Sequence, residues 1–267
     1  MAAAVPPAAP PPKPVTPTIA PPAPPAPPPP LAGEISDAGG SKRESVRALR
    51  WKVDGASKVL GDVEVDAAEL HGLISVRGGL KARNLASDGT LDVGGPVDVA
   101  ETLTTAGDAS FGAAARVGAA ETRGSLTVAS DLTAMRSVRA QGAVSVGGNV
   151  IAPRLEFDGR LEVTGAIAVT DFVGRLKGRS RATTVQADRV TVRRGGLAAR
   201  HATLEVLTIE TKDADLEGVV AEYVRADRIV VGAGCQIARV DGNVLRVHPT
   251  SHVGPVSHTP APYGLTR

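Results

Sequence analysis

One spacing constrains this chain more than any other: a glycine returns at a near-constant interval over more than a hundred positions. Gly55, Gly72, Gly89, Gly107, Gly124, Gly142 and Gly159 follow one another in steps of seventeen or eighteen. An apolar pair with one residue between follows the later glycines: Ile74 and Val76, Leu91 and Val93, Ala109 and Phe111, Leu126 and Val128. A second series, Gly61, Gly78, Gly95, Gly112, Gly148 and Gly165, keeps the same period, with Ser130 in its one gap. Two series at one period identify a repeat architecture.

The unit Gly142–Gly159 shows what is repeated. Its apolar residues form three pairs, Val144 and Val146, Val150 and Ala152, Leu155 and Phe157. Alternation within each pair is that of a short strand with one face buried. Gly, Asn and Pro fall between the pairs, where the backbone can turn a corner. Three strands and three corners make one coil of a triangular solenoid, an all-β parallel β-helix. Only 2% of the 267 residues are aromatic, so the core is built from small and β-branched side chains, which suits thin stacked layers.

The flanks read differently. Residues 1–30 hold 15 of the 21 prolines, which removes amide donors and favours an extended, solvated arm. Pro11, Pro14 and Pro17 have the spacing that groove-binding domains recognise, although a plain spacer has the same composition. Residues 31–45 read as a Gly, Ser and charge-rich linker, and residues 249–267 as a second disordered tail. The expected layout is therefore 1–45 tail and linker, 46–248 β-helix, 249–267 tail. No secretory signal and no run of ~18 apolar residues is present, which predicts a soluble cytoplasmic protein. Gly178, Gly196 and Gly218 continue the anchors, and the longer step from Gly196 to Gly218 predicts an insertion near Thr211–Asp215. The span Gly55–Gly242 predicts ten to eleven coils, a rod ~50 Å long.

The runs Val59-Leu60-Gly61-Asp62-Val63-Glu64-Val65, Leu216-Glu217-Gly218-Val219-Val220-Ala221-Glu222-Tyr223-Val224 and Ile229-Val230-Val231-Gly232-Ala233-Gly234-Cys235-Gln236-Ile237 resemble the coils of bactofilins, polymer-forming cytoskeletal proteins. The resemblance covers roughly residues 54–242. It implies a right-handed β-helix between disordered tails and end-to-end polymerisation without nucleotide. This chain differs in its greater number of coils, its Gly-poor later coils and its lack of a short apolar N-terminal segment.

The architecture points the same way. Stacked coils leave unpaired backbone groups only at the two ends, and those ends are templates for another chain. Trp51, the sole Trp, and Val53 are expected at one end, with Trp51 covering the core; Val240, Leu245 and Val247 are expected at the other. The principal partner is then a second copy of the chain, with further proteins recruited by the Pro-rich arm. Between Phe172 and His201, Arg175, Lys177, Arg179, Arg181, Arg189, Arg193, Arg194 and Arg200 face one acid, Asp188. Projecting from one side, they would form a basic ladder for an anionic membrane, although a solvated face that keeps neighbouring rods soluble has the same composition and is the ordinary reading; nucleic acid is disfavoured by the scarcity of aromatics for stacking. An acyltransferase of similar coil length would use a histidine base, but His71 and His201 are separated by several coils of sequence and share no site. No metal-ligand cluster, P-loop or nucleophile elbow occurs, so no catalytic, metal or cofactor residue is assigned. Cys235 is alone and reads as a small buried apolar residue. Three functions follow, in order: a self-assembling cytoskeletal scaffold, a non-polymerising binding scaffold, and an acyltransferase-like enzyme.

Overall fold

The computed structural model describes residues 31–196 and 199–257. The Pro-rich residues 1–30, with Pro11, Pro14 and Pro17, and the end of the expected C-terminal tail lie outside that range. Within it there is no α-helix. The strands are β1 (Ala32–Arg43), β2 (Val46–Val59), β3 (Val63–Val76), β4 (Leu80–Val93), β5 (Val97–Phe111), β6 (Ala115–Val128), β7 (Leu132–Val146) and β8 (Val150–Leu176). They continue as β9 (Arg179–Gln186), β10 (Arg189–Arg194), β11 (Thr203–Leu216), β12 (Val219–Val231), β13 (Gln236–Val247), β14 (His252–Val253) and β15 (Val256–Ser257). All belong to one 15-stranded sheet, and each coil pairs in parallel with the next. The fold is a β-solenoid of about 13 turns, which at a ~4.8 Å strand spacing is a rod ~60 Å long.

The alternation read from sequence is what packs the core. Val144, Val146, Val150, Ala152, Leu155 and Phe157 are all buried, two on each side of the coil. The glycines from Gly55 to Gly159 pair with one another through successive coils. Gly107 has φ 118°, and a Cβ there would overlap the carbonyl oxygen of Gly89 one coil below. Only glycine turns this corner without strain. The second series is also stacked, the amide of Gly95 donating to the Gly78 carbonyl at 3.0 Å and that of Gly148 to Ser130 at 3.0 Å. Gly112 departs from it. Its amide donates to Val93, as that of Gly94 does to Val76, so it stacks on Gly94, and Ala113 holds the position expected of it.

Later coils accommodate larger changes. Phe172 meets Phe157 edge-on at 5.7 Å, and Gly174 leaves the space that the Phe157 ring fills from the preceding coil. The expected insertion at Thr211–Asp215 is not there: those residues lie within β11. Arg189 of β10 pairs with Asp213, a step longer than one ordinary coil, because extra chain enters between Gly195 and Ala202. That loop closes with amides of Ala199 and Ala202 donating to Gly196 and Ala199 at 3.0 and 2.9 Å.

Both boundaries also move outward. Residues 32–43 are not linker but a full coil, β1, in register with β2. Beyond residue 248, β14 and β15 add a partial coil against β13.

Candidate functional site

A closed stack has two chemically distinct kinds of surface, its ends and its faces. At the N-terminal end, the inward positions of β1 with described side chains are Ile35 over Trp51, Asp37 over Val53, Ser41 over Ser57 and Arg43 over Val59. Three of the four are polar. The Asp37 carboxylate accepts from Arg43 Nη2 at 2.6 Å and Nε at 3.0 Å, and from Trp51 Nε1 at 3.1 Å. Ser41 Oγ donates to Ser57 Oγ at 2.9 Å. The Arg43 guanidinium beside Asp37 holds its carboxyl below the usual carboxylate range, against the opposing effect of burial. A hydrogen-bonded polar layer thus closes this end, as terminal repeats of solenoids require. Trp51 and Val53, expected at the tip, are fully buried in the second coil. Trp51 does not cover the end; it is covered, and it anchors the cap through its indole N–H.

The C-terminal end has no such layer. β14 and β15 place Val253 on Ile237 and Val256 on Val240, so Val240, expected at the interface, is buried. No described strand covers Val244 and Val247, which sit over Ile229 and Val231. Leu245 is 57% exposed, Val247 43% and Val256 42%. Leu245 and Val247 therefore belong to β13 near an apolar terminus that no described strand fully covers.

The eight basic residues do not gather on one side. Arg175 and Arg193 stack in one column, Arg181 stacks between Glu162 and Glu205 in another, and Arg189 lies between Asp171 and Asp213 in a third. Acids outside the sequence window neutralise several of them. Lys177 meets Asp158 at 2.8 Å, Arg179 and Arg181 meet Glu205 at 2.6 and 3.2 Å, and Arg193 forms a forked pair with Asp215. Arg179 and Glu205 shift each other accordingly, the carboxyl downward and the guanidinium upward. Arg194 has a structural task, donating to the carbonyls of Ala202 and Gly234 at 3.2 and 3.3 Å. It ties the inserted loop to a coil 40 residues away. Arg175 and Arg200 are exposed.

Corner carboxylates are the residues that sequence reading passed over. Asp62 accepts the amide of Gly79 at 2.8 Å, Asp131 that of Asn149 at 2.7 Å, and Asn149 in turn that of Ala166 at 2.9 Å. The hydrophobic-Gly-acidic-hydrophobic run is thus a corner device: glycine turns, and the carboxylate takes the amide one coil on. The available signal was an Asp or Asn one residue after the corner position, at Asp62, Asp131 and Asn149. His71 and His201 are both exposed. Cys235 is buried, its thiol pushed up by desolvation and donating to the Leu216 carbonyl at 3.4 Å.

These features define a parallel β-solenoid with one polar and one apolar end. Comparison with protein-family models, curated proteins and solved structures returned no match. Among the described residues no helix is long and apolar enough to cross a membrane, and no group of three or more His, Cys, Asp or Glu is placed to hold a metal ion.

Proposed function

We propose that this chain is a structural scaffold of the bactofilin kind, a rod that self-assembles through its ends without nucleotide. The observation that carries this reading is the C-terminal layer, where Leu245, Val247 and Val256 are exposed beside a strand edge that no described strand covers. Covering that layer with a second copy removes apolar surface from water and pairs free backbone groups in one step. The polar cap makes the two ends unequal. Head-to-tail contact would set Asp37 and Arg43 against valines, desolvating charge without a new partner. Like ends meeting, C-terminal end on C-terminal end, avoids that cost.

Negative-stain microscopy of the purified full chain, without nucleotide, tests the reading. Rods joined lengthwise in pairs, C-terminal end to C-terminal end, are expected. A uniform population of single ~60 Å rods at every protein concentration would overturn it.

A further inference from the structure

Each coil presents an outward residue at the centre of each of its three faces, and on one face these residues carry an ordered pattern of charge. Arg47, Glu64, Lys81, Asp98 and Arg116 stack in register through five successive coils, alternating in sign. The column continues through Thr133 and Ile151 to Ala168 and Gln186. Ala168 follows Ile151 by the same interval that separates Gly148 from Gly165, whose amide bonds the Gly148 carbonyl at 3.0 Å. Its last charges are Glu210, Arg225 and Asp241. Two charged segments thus flank a neutral centre, in which Ile151 is 50% exposed.

Alternation within one chain has an ordinary cause, since like charges directly opposite in a ladder repel. That cause does not fix how one half of the column relates to the other. Folded over at the gap between Thr133 and Ile151, the column brings Arg47 to Asp241, Glu64 to Arg225 and Lys81 to Glu210. The remaining matches are Asp98 with Gln186, Arg116 with Ala168 and Thr133 with Ile151, so no like charges meet. The same operation on the face centred on Lys52 brings Lys52 to Arg246, a like pair. Within the chain, Lys81, Asp98 and Arg116 form no ion pair among the described residues, although each stands opposite a counter-charge in register; Arg47 and Glu64 do pair, at 2.9 Å.

The geometry points to side-by-side, antiparallel pairing of two copies through this face, about a two-fold axis level with the gap between Thr133 and Ile151. Parallel pairing about an axis along the rod would set each charge on its own copy, Arg47 on Arg47. Antiparallel pairing sets every charge in the column on an opposite or a neutral partner. A strip one strand wide, roughly 10 Å, and ~60 Å long gives on the order of 600 Å² a side, below the ~800 Å² of a standard interface. The pairing is accordingly weak and salt-sensitive, with charge setting its orientation. It uses neither end of the rod and stands whether or not the ends join.

The test is charge exchange between Lys81 and Glu210, seven coils or ~34 Å apart in one chain and so beyond each other's reach except across the pair. In sedimentation at low salt, the full-length protein is expected to dimerise, and X-ray scattering to show a particle of monomer length with doubled mass per unit length. End joining would instead lengthen the particle at constant cross-section. Lys81→Glu and Glu210→Lys are each expected to weaken side-by-side pairing about tenfold or more, and the double exchange to return it to within about threefold of the original. Raising salt to ~1 M, where the screening length is ~3 Å, is expected to dissociate the unaltered pair. If a reversal disrupts folding, Lys81→Gln and Glu210→Gln replace it, each expected to weaken pairing and to flatten its salt dependence. A double exchange no tighter than the single variants, or an unaltered protein with monomer cross-section at low salt, overturns the proposal.

Discussion

A glycine in this fold is worth what lies beneath it. Gly107 and Gly39 both adopt positive φ, 118° and 77°, but only Gly107 has a carbonyl where its Cβ would go; around Gly39 nothing lies within 4 Å. Gly107→Ala is therefore expected to destabilise the rod by on the order of 3 kcal/mol, and Gly39→Ala by about 1 kcal/mol. Denaturant titration separates them, and equal costs would mean that the dihedral, not the stacking, demands glycine. Phe157 and Gly174 form a second residue-scale pair, since the ring fills the space a side chain at 174 would need. Gly174→Ala alone is expected to cost about 1–3 kcal/mol by overpacking. Adding Phe157→Leu is expected to recover part of that, a non-additivity visible in a double-mutant cycle.

The first coil shows how an element can be essential and yet invisible to pattern reading. Alternating apolar residues reveal a strand that buries one face, but no described strand lies beyond β1, and its inward positions hold Asp37, Ser41 and Arg43. Those residues made it resemble linker. The middle coils, buried on both sides, were legible residue by residue, and the glycine stack with them. The inserted loop was misplaced for a different reason: Gly196 opens the loop while Gly218 closes an ordinary corner, so their separation does not measure a coil. Legibility of the surface was lower still. The basic residues looked like a patch because their acids, Asp158, Glu205 and Asp215, come from neighbouring coils that local sequence does not show. The cap has a pH signature. Asp37 has a lowered folded-state pKa, so its contribution is full above the unfolded value near ~3.9 and fades as pH falls through the lower folded value. Amide exchange in β1 is expected to accelerate selectively below about pH 4, the coils around Phe157 holding longer. Asp37→Ala is expected to produce that loosening at neutral pH, at a cost of about 1–3 kcal/mol, and unchanged β1 protection would remove the cap from the account.

At the scale of the whole rod, the two ends dictate how copies can add. A solenoid of about 13 turns pairs its described strands coil to coil in one sheet, so growth along the axis depends on what the first and last coils bury. The N-terminal layer keeps its charges paired and gains little by being covered. The C-terminal layer gains most, because Val247 and Val256, 43% and 42% exposed, lose water only when another surface arrives. Val247→Asp should consequently abolish lengthwise joining while leaving the single rod folded, since the side chain already reaches solvent. Placing two carboxylates across a like-end contact adds repulsion to the lost burial, and a weakening of about a hundredfold or more is expected. Asp37→Ala, by contrast, should leave that contact intact while loosening β1. Light scattering across a concentration series reads both, and a Val247→Asp protein that joins as well as the original would move the adhesive surface away from the C-terminal end.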